Sequence, residues 1–503
     1  MADEPARPAP DEVSEAAIVA FLASPETHGG AAPDHIETHL SHLFLAADRA
    51  LKLKKRVDWS VVDYSSLEKR EAYCRRELEV NRRFAPDLYL AVVPVTVGAT
   101  GLALGGDGTP VDYVVEMRRF PADAQLDTMA DAGTLTPALA DATADAIAAM
   151  HRGAPVAKGA GGADRIAALT AQLQRDVAPG LAAEAARDLA AWADAAEAAL
   201  GRLAPLAERR ARHGFVRRCH GDLHLSNICL WNGRPTPFDA IEFSEDIATI
   251  DVLYDLAFVL VDLDSRDLRA LASRLLSRYL EATRDYAGLA LLPLFLSQRA
   301  MVRALTRAAK GRDAAPSVRL ARTYLAHAAE VLPRLIAVGG LSGTGKTTVA
   351  RGLALTAGAV VIRSDSVRKR LAGHAPEERL DGASYTAAAT GAVYRRLRVD
   401  ARRALHAGCP VILDATFADP AERHRAETVA AMAGVPFTGL WLSAPDAALR
   451  RRIAARHGDA SDADTAVLDA QIARGTGPMH WSVVDASADP DAVTAAAARA
   501  MAI

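Results

Sequence analysis

The octapeptide Gly340-Leu341-Ser342-Gly343-Thr344-Gly345-Lys346-Thr347 constrains this 503-residue chain more than any other stretch. It fits G-x-x-x-x-G-K-[ST], follows the apolar run Leu335-Ile336-Ala337-Val338-Gly339 and opens the helical text Thr347-Thr348-Val349-Ala350-Arg351. A strand, a glycine-rich turn and a helix N-terminus in that order aim backbone N–H groups and the positive end of a helix dipole at one anion. The loop therefore reads as a phosphate cradle formed by Gly340, Ser342, Gly343, Thr344, Gly345, Lys346, Thr347 and Thr348. In it Lys346 bridges β- and γ-phosphates and the Thr347 hydroxyl holds Mg²⁺. A glycine turn with no ligand is the alternative, and the strand and helix on either side argue against it.

The text after Leu335 alternates strand, loop and helix. Further strands are expected at Val360–Ile362, Val411–Leu413, Gly439–Leu442 and Trp481–Val484, which is the pattern of an α/β domain with a parallel sheet. Asp365 lies just past the second strand, at the end where open α/β sheets bind ligands. It is placed to activate a substrate hydroxyl, and Arg368 to clamp an anion. The competing reading makes Ser364 or Asp365 a helix N-cap. Asp414 ends an apolar strand in the manner of a Walker B acid, holding Mg²⁺ through water. Arg423 is within reach of a phosphate. The run Arg450-Arg451-Arg452 with Arg456, followed by His457-Gly458-Asp459, reads as a lid. Arg452 and Arg456 are the expected phosphate contacts, the other arginines being solvated surface.

Bulk properties exclude more than they assign. The net charge of −3 gives no global basic field of the kind nucleic acid attracts. Cys74, Cys219, Cys229 and Cys409 are scattered and form no C-x-x-C pair, so neither a disulfide framework nor a zinc site is expected. Residues 1–12, acidic and Pro-rich, read as a disordered tail and not as a signal peptide. No uncharged apolar stretch of about 18 residues is available for a membrane span. A reducing cytoplasm suits all of this. Pro333 marks the expected boundary between a domain at 13–332 and one at 333–503.

The first of these has its own order. A short helix is expected at Glu15–Ala23, a hairpin across His39–Leu53, a helix within Tyr64–Phe84, and strands at Leu90–Val97 and Val111–Met117 about the Gly105–Gly108 turn. To about residue 120 this is a small sheet with one helix. From Thr136 the text is long, Ala-rich and helical, except for a strand-and-loop passage around residues 213–243. There lies His220-Gly221-Asp222-Leu223-His224-Leu225-Ser226-Asn227, which fits H-x-D-L-x-x-x-N. The spacing suits a loop in which Asp222 takes or orients a hydroxyl proton and Asn227 holds a metal on nucleotide phosphates. Asp239, in Phe238-Asp239-Ala240-Ile241-Glu242, is expected on the next strand as a further Mg²⁺ ligand. Turn-forming side chains are the bland alternative. His220 is expected to brace the loop, and His224 is open.

The H-G-D-L-H-x-x-N loop followed by D-x-x-E resembles the aminoglycoside phosphotransferase family, over about residues 30–330. The resemblance implies a protein-kinase-like α+β fold, with a β-rich small lobe and a helical lobe. It also implies a strand lysine gripping the α/β-phosphates and a helix glutamate paired with it. Lys52 fits the lysine, with Lys54 as rival on the same strand face; Glu77 fits the glutamate, with Glu71 and Glu79 nearby. Asp255 matches a position that supports the catalytic loop. No G-x-G-x-x-G loop is present, and Ala240-Ile241 follow Asp239 where protein kinases carry Phe-Gly. Both departures are usual in the aminoglycoside-type branch. The stretch from Asp63 to Val95 resembles a bacterial subgroup of that family often fused to a P-loop kinase. Residues 335–503 in turn resemble small P-loop kinases related to polynucleotide kinase, gluconate kinase, chloramphenicol phosphotransferase and zeta toxins, in which Asp365 would be the base. The combined expectation is an α/β P-loop NTPase behind a kinase-like domain. Each would use ATP and Mg²⁺ to phosphorylate a hydroxyl of a small molecule. The alternatives are a nucleotide-sensing regulator with one active domain, and a zeta-like toxin with a fused partner domain.

Overall fold

The computed structural model describes residues 13–501 apart from 60, 61, 158, 160, 376, 379, 381 and 456–463. Residues 1–12, expected to be a tail, and Arg456 with the tip of the expected lid therefore lie outside the described residues. By packing, the chain forms two units: residues up to 162 with 209–262, and residues 163–208 with 263 onward.

The first unit carries a six-stranded antiparallel sheet in the order Asp34–Glu37, Ser41–Ala46, Arg49–Lys54, Thr109–Arg118, Tyr89–Gly98, Gly101–Leu104. The hairpin, the helix and the two long strands read from sequence are all in it. The short outer strands Asp34–Glu37 and Gly101–Leu104 carry too little alternation to be read in advance. Along Arg49–Lys54 the pleat sends Leu51 and Leu53 into an apolar cluster with Phe44, Val95, Val114 and the helix residues Ile18 and Leu22. Lys52 and Lys54 consequently face the other way. The helix Leu67–Asn81 starts at Ser66, whose hydroxyl accepts from the Lys69 N–H. Its buried stripe is Arg70, Cys74, Glu77, Val80 and Asn81, largely polar. Each of its polar members meets a partner: Arg70 Nε donates to Asp112 Oδ1 at 2.9 Å, and the Asn81 side-chain carbonyl accepts from the Ala240 N–H at 2.9 Å.

The strand Val216–Arg218 pairs antiparallel with Thr249–Asp251, and between them runs the H-x-D loop. A 3₁₀ turn at Leu225–Asn227 leads into the hairpin Ile228–Trp231/Arg234–Pro237. Asn232 (φ 50) and Gly233 (φ 74) make its two-residue turn. The hairpin returns the chain so that the Phe238 N–H reaches the Asn227 carbonyl at 2.9 Å. Asp239 therefore stands two residues beyond the strand, at φ 59, and not on the strand as expected.

The second unit joins helices to a five-stranded sheet in the order Val360–Arg363, Val411–Asp414, Leu335–Gly340, Phe437–Ser443, Ser482–Asp485, every pair parallel. All five strands read from sequence are there. The central strands are buried at every position, as a sheet covered on both faces requires. Ile336, Val338, Ile412, Leu440 and Leu442 pack there with Val349, Leu353, Val493 and Ala497 from two helices.

Candidate active sites

In the first unit the Lys52 ammonium donates to Glu77 Oε1 at 2.8 Å and to Asp239 Oδ1 at 2.5 Å. Lys54 donates to the other oxygen of Glu77 at 2.7 Å and to Glu242, which also accepts from the Tyr64 hydroxyl at 2.8 Å. The two lysines thus share one glutamate but differ in outlook. Lys54 is sealed at 1% exposure, whereas Lys52 at 12% points to the half-open carboxylate of Asp239. Burial opposes the charge on both lysines, yet the carboxylates around them win and raise both pKa values well above the ordinary value. Burial likewise opposes ionisation of Glu77, and the two ammonium groups overcome it, holding its carboxyl far down. Glu71 and Glu79 go elsewhere: Arg75 and Arg76 respectively bind them on the exposed face. Among the two lysines and three glutamates weighed, Lys52 and Glu77 are the pair facing Asp239.

The Asn227 amide donates to the Asp222 main-chain oxygen at 2.9 Å and to Oδ2 at 3.1 Å. Its nitrogen is spent on Asp222, and the amide oxygen is the end able to bind a cation. His224 Nε2 lies 3.2 Å from Asp222 Oδ2, and its Nδ1 is 2.7 Å from Ser226 Oγ. Burial lowers the His224 pKa, but the hydrogen bond and charge of Asp222 reverse this and raise it. His220 is different: fully buried, it meets the Phe238 carbonyl through Nε2 at 2.9 Å, and burial lowers its pKa. Asp255 accepts the N–H groups of His220 and Gly221 at 3.1 and 3.0 Å, and His151 Nε2 lies 3.1 Å from it. His151, Cys219 and Asp255 come close enough to suit a metal, but those backbone N–H groups already occupy both Asp255 oxygens. Sequence reasoning missed Tyr89, whose hydroxyl accepts the Asp239 N–H at 3.0 Å, and Asn81, Tyr64 and His151. No local motif marks them, since their partners are remote in the chain.

The second unit holds a cleft of about 520 Å³ lined by the phosphate loop, Asp365, Arg368, Asp414 and Arg452, with Tyr385, Tyr394, Gln471 and Arg474. Gly340 closes the central strand at φ 146, where a Cβ would meet the Leu442 carbonyl oxygen at 2.7 Å. A Cβ on Gly343 (φ 86) would meet the Leu449 carbonyl oxygen at 2.8 Å. The Thr347 hydroxyl donates to Asp414 Oδ2 at 2.6 Å, and Lys346 Nζ to the Leu341 carbonyl at 2.9 Å. Two hard oxygens at that spacing fit Mg²⁺. Asp365 stands in the first turn of the helix Ser364–Leu371 and faces the cleft. The N-cap of that helix is Arg363, without a side-chain cap bond, so neither Ser364 nor Asp365 is the cap. The Arg368 guanidinium lies 4.8 Å over the Tyr385 ring and donates to the Ser384 carbonyl at 2.7 Å.

One expectation about arginines needs correcting. Arg423 does not face phosphate: it is buried and donates to the carbonyls of Phe417, Ala418, Thr476 and Pro478, pinning two loops. Arg452 does line the cleft, but its donors reach the Ala488 carbonyl at 3.3 Å, while Arg450 pairs with Asp446 and Asp469 outside. Sequence reasoning also missed Gln471, which accepts the Ser342 N–H at 2.9 Å, and Arg363, whose Nη2 is 3.4 Å from Thr347 Oγ1.

Residues 48–292 match the phosphotransferase enzyme family, and residues 335–478 match an AAA domain. An uncharacterized protein of Mycobacterium tuberculosis is 33% identical over 457 residues, covering 87% of this chain and 89% of its own length. A Mycobacterium bovis protein matches to the same extent. Among solved structures, a gluconokinase from Sinorhizobium meliloti is 20% identical and covers 34% of this chain and 93% of its own, with a TM-score of 0.25. A Plasmodium vivax ethanolamine kinase is 12% identical and covers 62% of this chain and 88% of its own, with a TM-score of 0.38. Among the described residues no helix is long and apolar enough to cross a membrane.

Proposed function

From a chain that belongs to a family of two-domain kinases, a phosphotransferase enzyme at residues 48–292 and a P-loop domain at 335–478, we propose that both clefts transfer the γ-phosphate of ATP to a small-molecule hydroxyl. The domain limits in this reading are 13–332 and 333–503. The observation that supports it most is that the first site joins Lys52 to Glu77 and Asp239, and Asn227 to Asp222, while the second gathers Lys346, the paired Thr347 and Asp414 oxygens, and Asp365 in one cleft. Kinases of these types take ATP and generally Mg²⁺. The metal, when bound, neutralises charge building up on the phosphates.

In the first cleft Lys52, fixed by Glu77, carries charge to the α/β-phosphates, and Asn227 and Asp239 hold the metal. Asp222, oriented beside His224 and Asn227, accepts or directs the hydroxyl proton of the acceptor. In the second cleft the backbone N–H groups of Gly343–Thr347 wrap the β-phosphate and Lys346 spans β and γ. Thr347 and Asp414 hold the metal, and Asp365 takes the acceptor proton. Arg452, which lines this cleft, follows the phosphate. In each transfer the bond between the γ-phosphorus and the β,γ-bridging oxygen breaks, a bond to the acceptor oxygen forms, and the acceptor's proton passes to the carboxylate, so positioning and charge supply the rate.

The test is a screen of hydroxyl metabolites for ATP consumption with the wild type, Asp222→Ala and Lys346→Ala. Each variant is expected to abolish turnover of a different acceptor. Turnover unchanged in both variants on every active acceptor would overturn the assignment. Loss in one variant only would leave a single active kinase domain.

A further inference from the structure

The edge strand Val360–Arg363 ends on a buried arginine. Arg363 is in register with Asp414 on the next strand. Its Nε stands 3.5 Å from Asp414 Oδ2, and both side chains are under a tenth exposed. Its Nη2 lies 3.4 Å from the Thr347 hydroxyl. A guanidinium therefore leans on both oxygens that fit Mg²⁺. A dication entering that pair meets a positive charge already there, and a buried guanidinium that loses an acid partner costs several kcal/mol unless another acid takes it.

Such an acid comes from the helix Arg269–Thr283, which packs along the same strand. Ser277 Oγ accepts the Val361 N–H at 3.3 Å, Arg278 pairs with Glu377 at 3.0 Å, and Arg284 just past the helix pairs with the fully buried Asp400 at 2.7 Å. One turn beyond Ser277 is Glu281, 4% exposed. Burial pushes its carboxyl upward; Arg363 opposes this most among the charges facing it, followed by Arg370 and Arg278. Arg363 thus stands beside Asp414 in the nucleotide cleft, while the buried Glu281, on the helix packed against its strand, is a second acid whose charge it feels.

We propose that Arg363 is a positioning residue shared between Asp414 and Glu281, so that a divalent cation on Thr347 and Asp414 and the pairing of Arg363 with Glu281 favour each other. Reciprocity follows from linkage: whatever strengthens the rear pair must strengthen metal binding by the same factor. The consequence is that a helix lying ahead of residue 333 sets the metal affinity of the P-loop cleft. The proposal rests on reading that cleft as a Mg²⁺–nucleotide site.

The experiment uses the full chain and a fluorescent ATP analogue, taking the part of the binding signal that Lys346→Ala removes and titrating it with Mg²⁺. Glu281→Gln is expected to raise the Mg²⁺ midpoint at least about threefold, at the low end of site–site couplings. Arg363→Gln is expected to lower it. In the Arg363→Gln background, Glu281→Gln should have no further effect, which a merely structural glutamate would not obey. Midpoints within twofold of the wild type, or an undiminished Glu281→Gln effect in the double variant, overturn the proposal. If Glu281→Gln does not melt cooperatively, Arg363→Gln decides alone: an unchanged or raised midpoint overturns it. A wild type without any Lys346-dependent signal sinks the nucleotide reading and the proposal with it. A normal signal with unmoved midpoints sinks the proposal alone.

Discussion

The two clefts solve one electrostatic problem with opposite means. In the P-loop cleft the phosphate site is made largely by consecutive backbone, Gly340 to Thr347, at a strand end and a helix start. Its lysine and the threonine proposed to hold the metal are neighbours in sequence. In the first cleft no backbone cradle of this kind appears in the sequence. Charge is held by side chains brought from far apart: Lys52 and Glu77 are 25 residues apart, Lys52 and Asp239 187, and Lys54 and Glu242 188. The first design depends on buried ion pairs that cost desolvation and must all be satisfied together. The second depends on glycine conformations no other residue adopts cheaply. The first cleft should therefore lose stability when a charge is removed, and the second should lose binding without losing its fold.

Glu77→Ala tests this most severely. It strips two buried ammonium groups of a shared carboxylate, and breaking a buried pair costs about 3–5 kcal/mol. Thermal melting should show a large loss, whereas Lys346→Ala, whose ammonium meets a carbonyl, should leave the melting temperature nearly unchanged. Equal melting temperatures for the two variants would break the contrast. Next in size is Gly340→Ala. The residue is held at φ 146 with a backbone oxygen 2.7 Å from the new Cβ. Strain of about 1–3 kcal/mol is expected, together with loss of the Lys346-dependent nucleotide signal while Lys52-dependent binding persists. A third comparison separates the lysines. Lys52→Met should abolish nucleotide binding in the first cleft. Lys54→Met, at a sealed position between Glu77 and Glu242, should mainly lower the melting temperature. If Lys54→Met instead removes nucleotide binding with the melting temperature intact, the roles are exchanged.

The same contrast explains what could be read from the sequence. The P-loop domain was legible strand by strand because each of its signals is local: an apolar run, then a glycine turn or an acid at its end. Asp414 and Asp365 are found that way. The catalytic loop was legible for the same reason, since Asp222 and Asn227 are five residues apart. The pairing of Lys52 with Glu77 needed a family resemblance, because spacing alone leaves Lys54, Glu71 and Glu79 as candidates. The pleat cannot choose between Lys52 and Lys54; tertiary packing does, by placing Glu242 and Tyr64 over one and Asp239 over the other. Arg423 was misread because an arginine after a strand-end acid looks the same whether it faces phosphate or carbonyls. The cap alternative for Ser364 or Asp365 fails because cap preference is a weak local bias, here overridden by the strand running directly into the helix through Arg363. Glu281 carried no signal, as Arg363, with which it is proposed to pair, lies 82 positions away.

The smallest expected effect lies within one loop. His220 and His224 differ by four positions, yet their pKa values move in opposite directions. Burial drives His220 down, while Asp222 overcomes burial and drives His224 up. For His224 the folded value exceeds the unfolded one. Its contribution to stability is complete below the ordinary histidine pKa and fades as pH rises through the folded value. For His220 the sign is reversed: acidification through the ordinary pKa destabilises the fold, because the unfolded chain takes up that proton first. The two effects oppose each other in a melting curve, so the measurement is residue-resolved NMR titration of the imidazole resonances. His224 should titrate above the ordinary value and His220 below it. Asp222→Asn should bring His224 down, since only the charges of Asp262 and Asp239 then oppose burial, and should shift His220 less, because Asp255 is the larger charge there. A His224 titration unmoved by Asp222→Asn would mean that the pair at 3.2 Å is not held in solution.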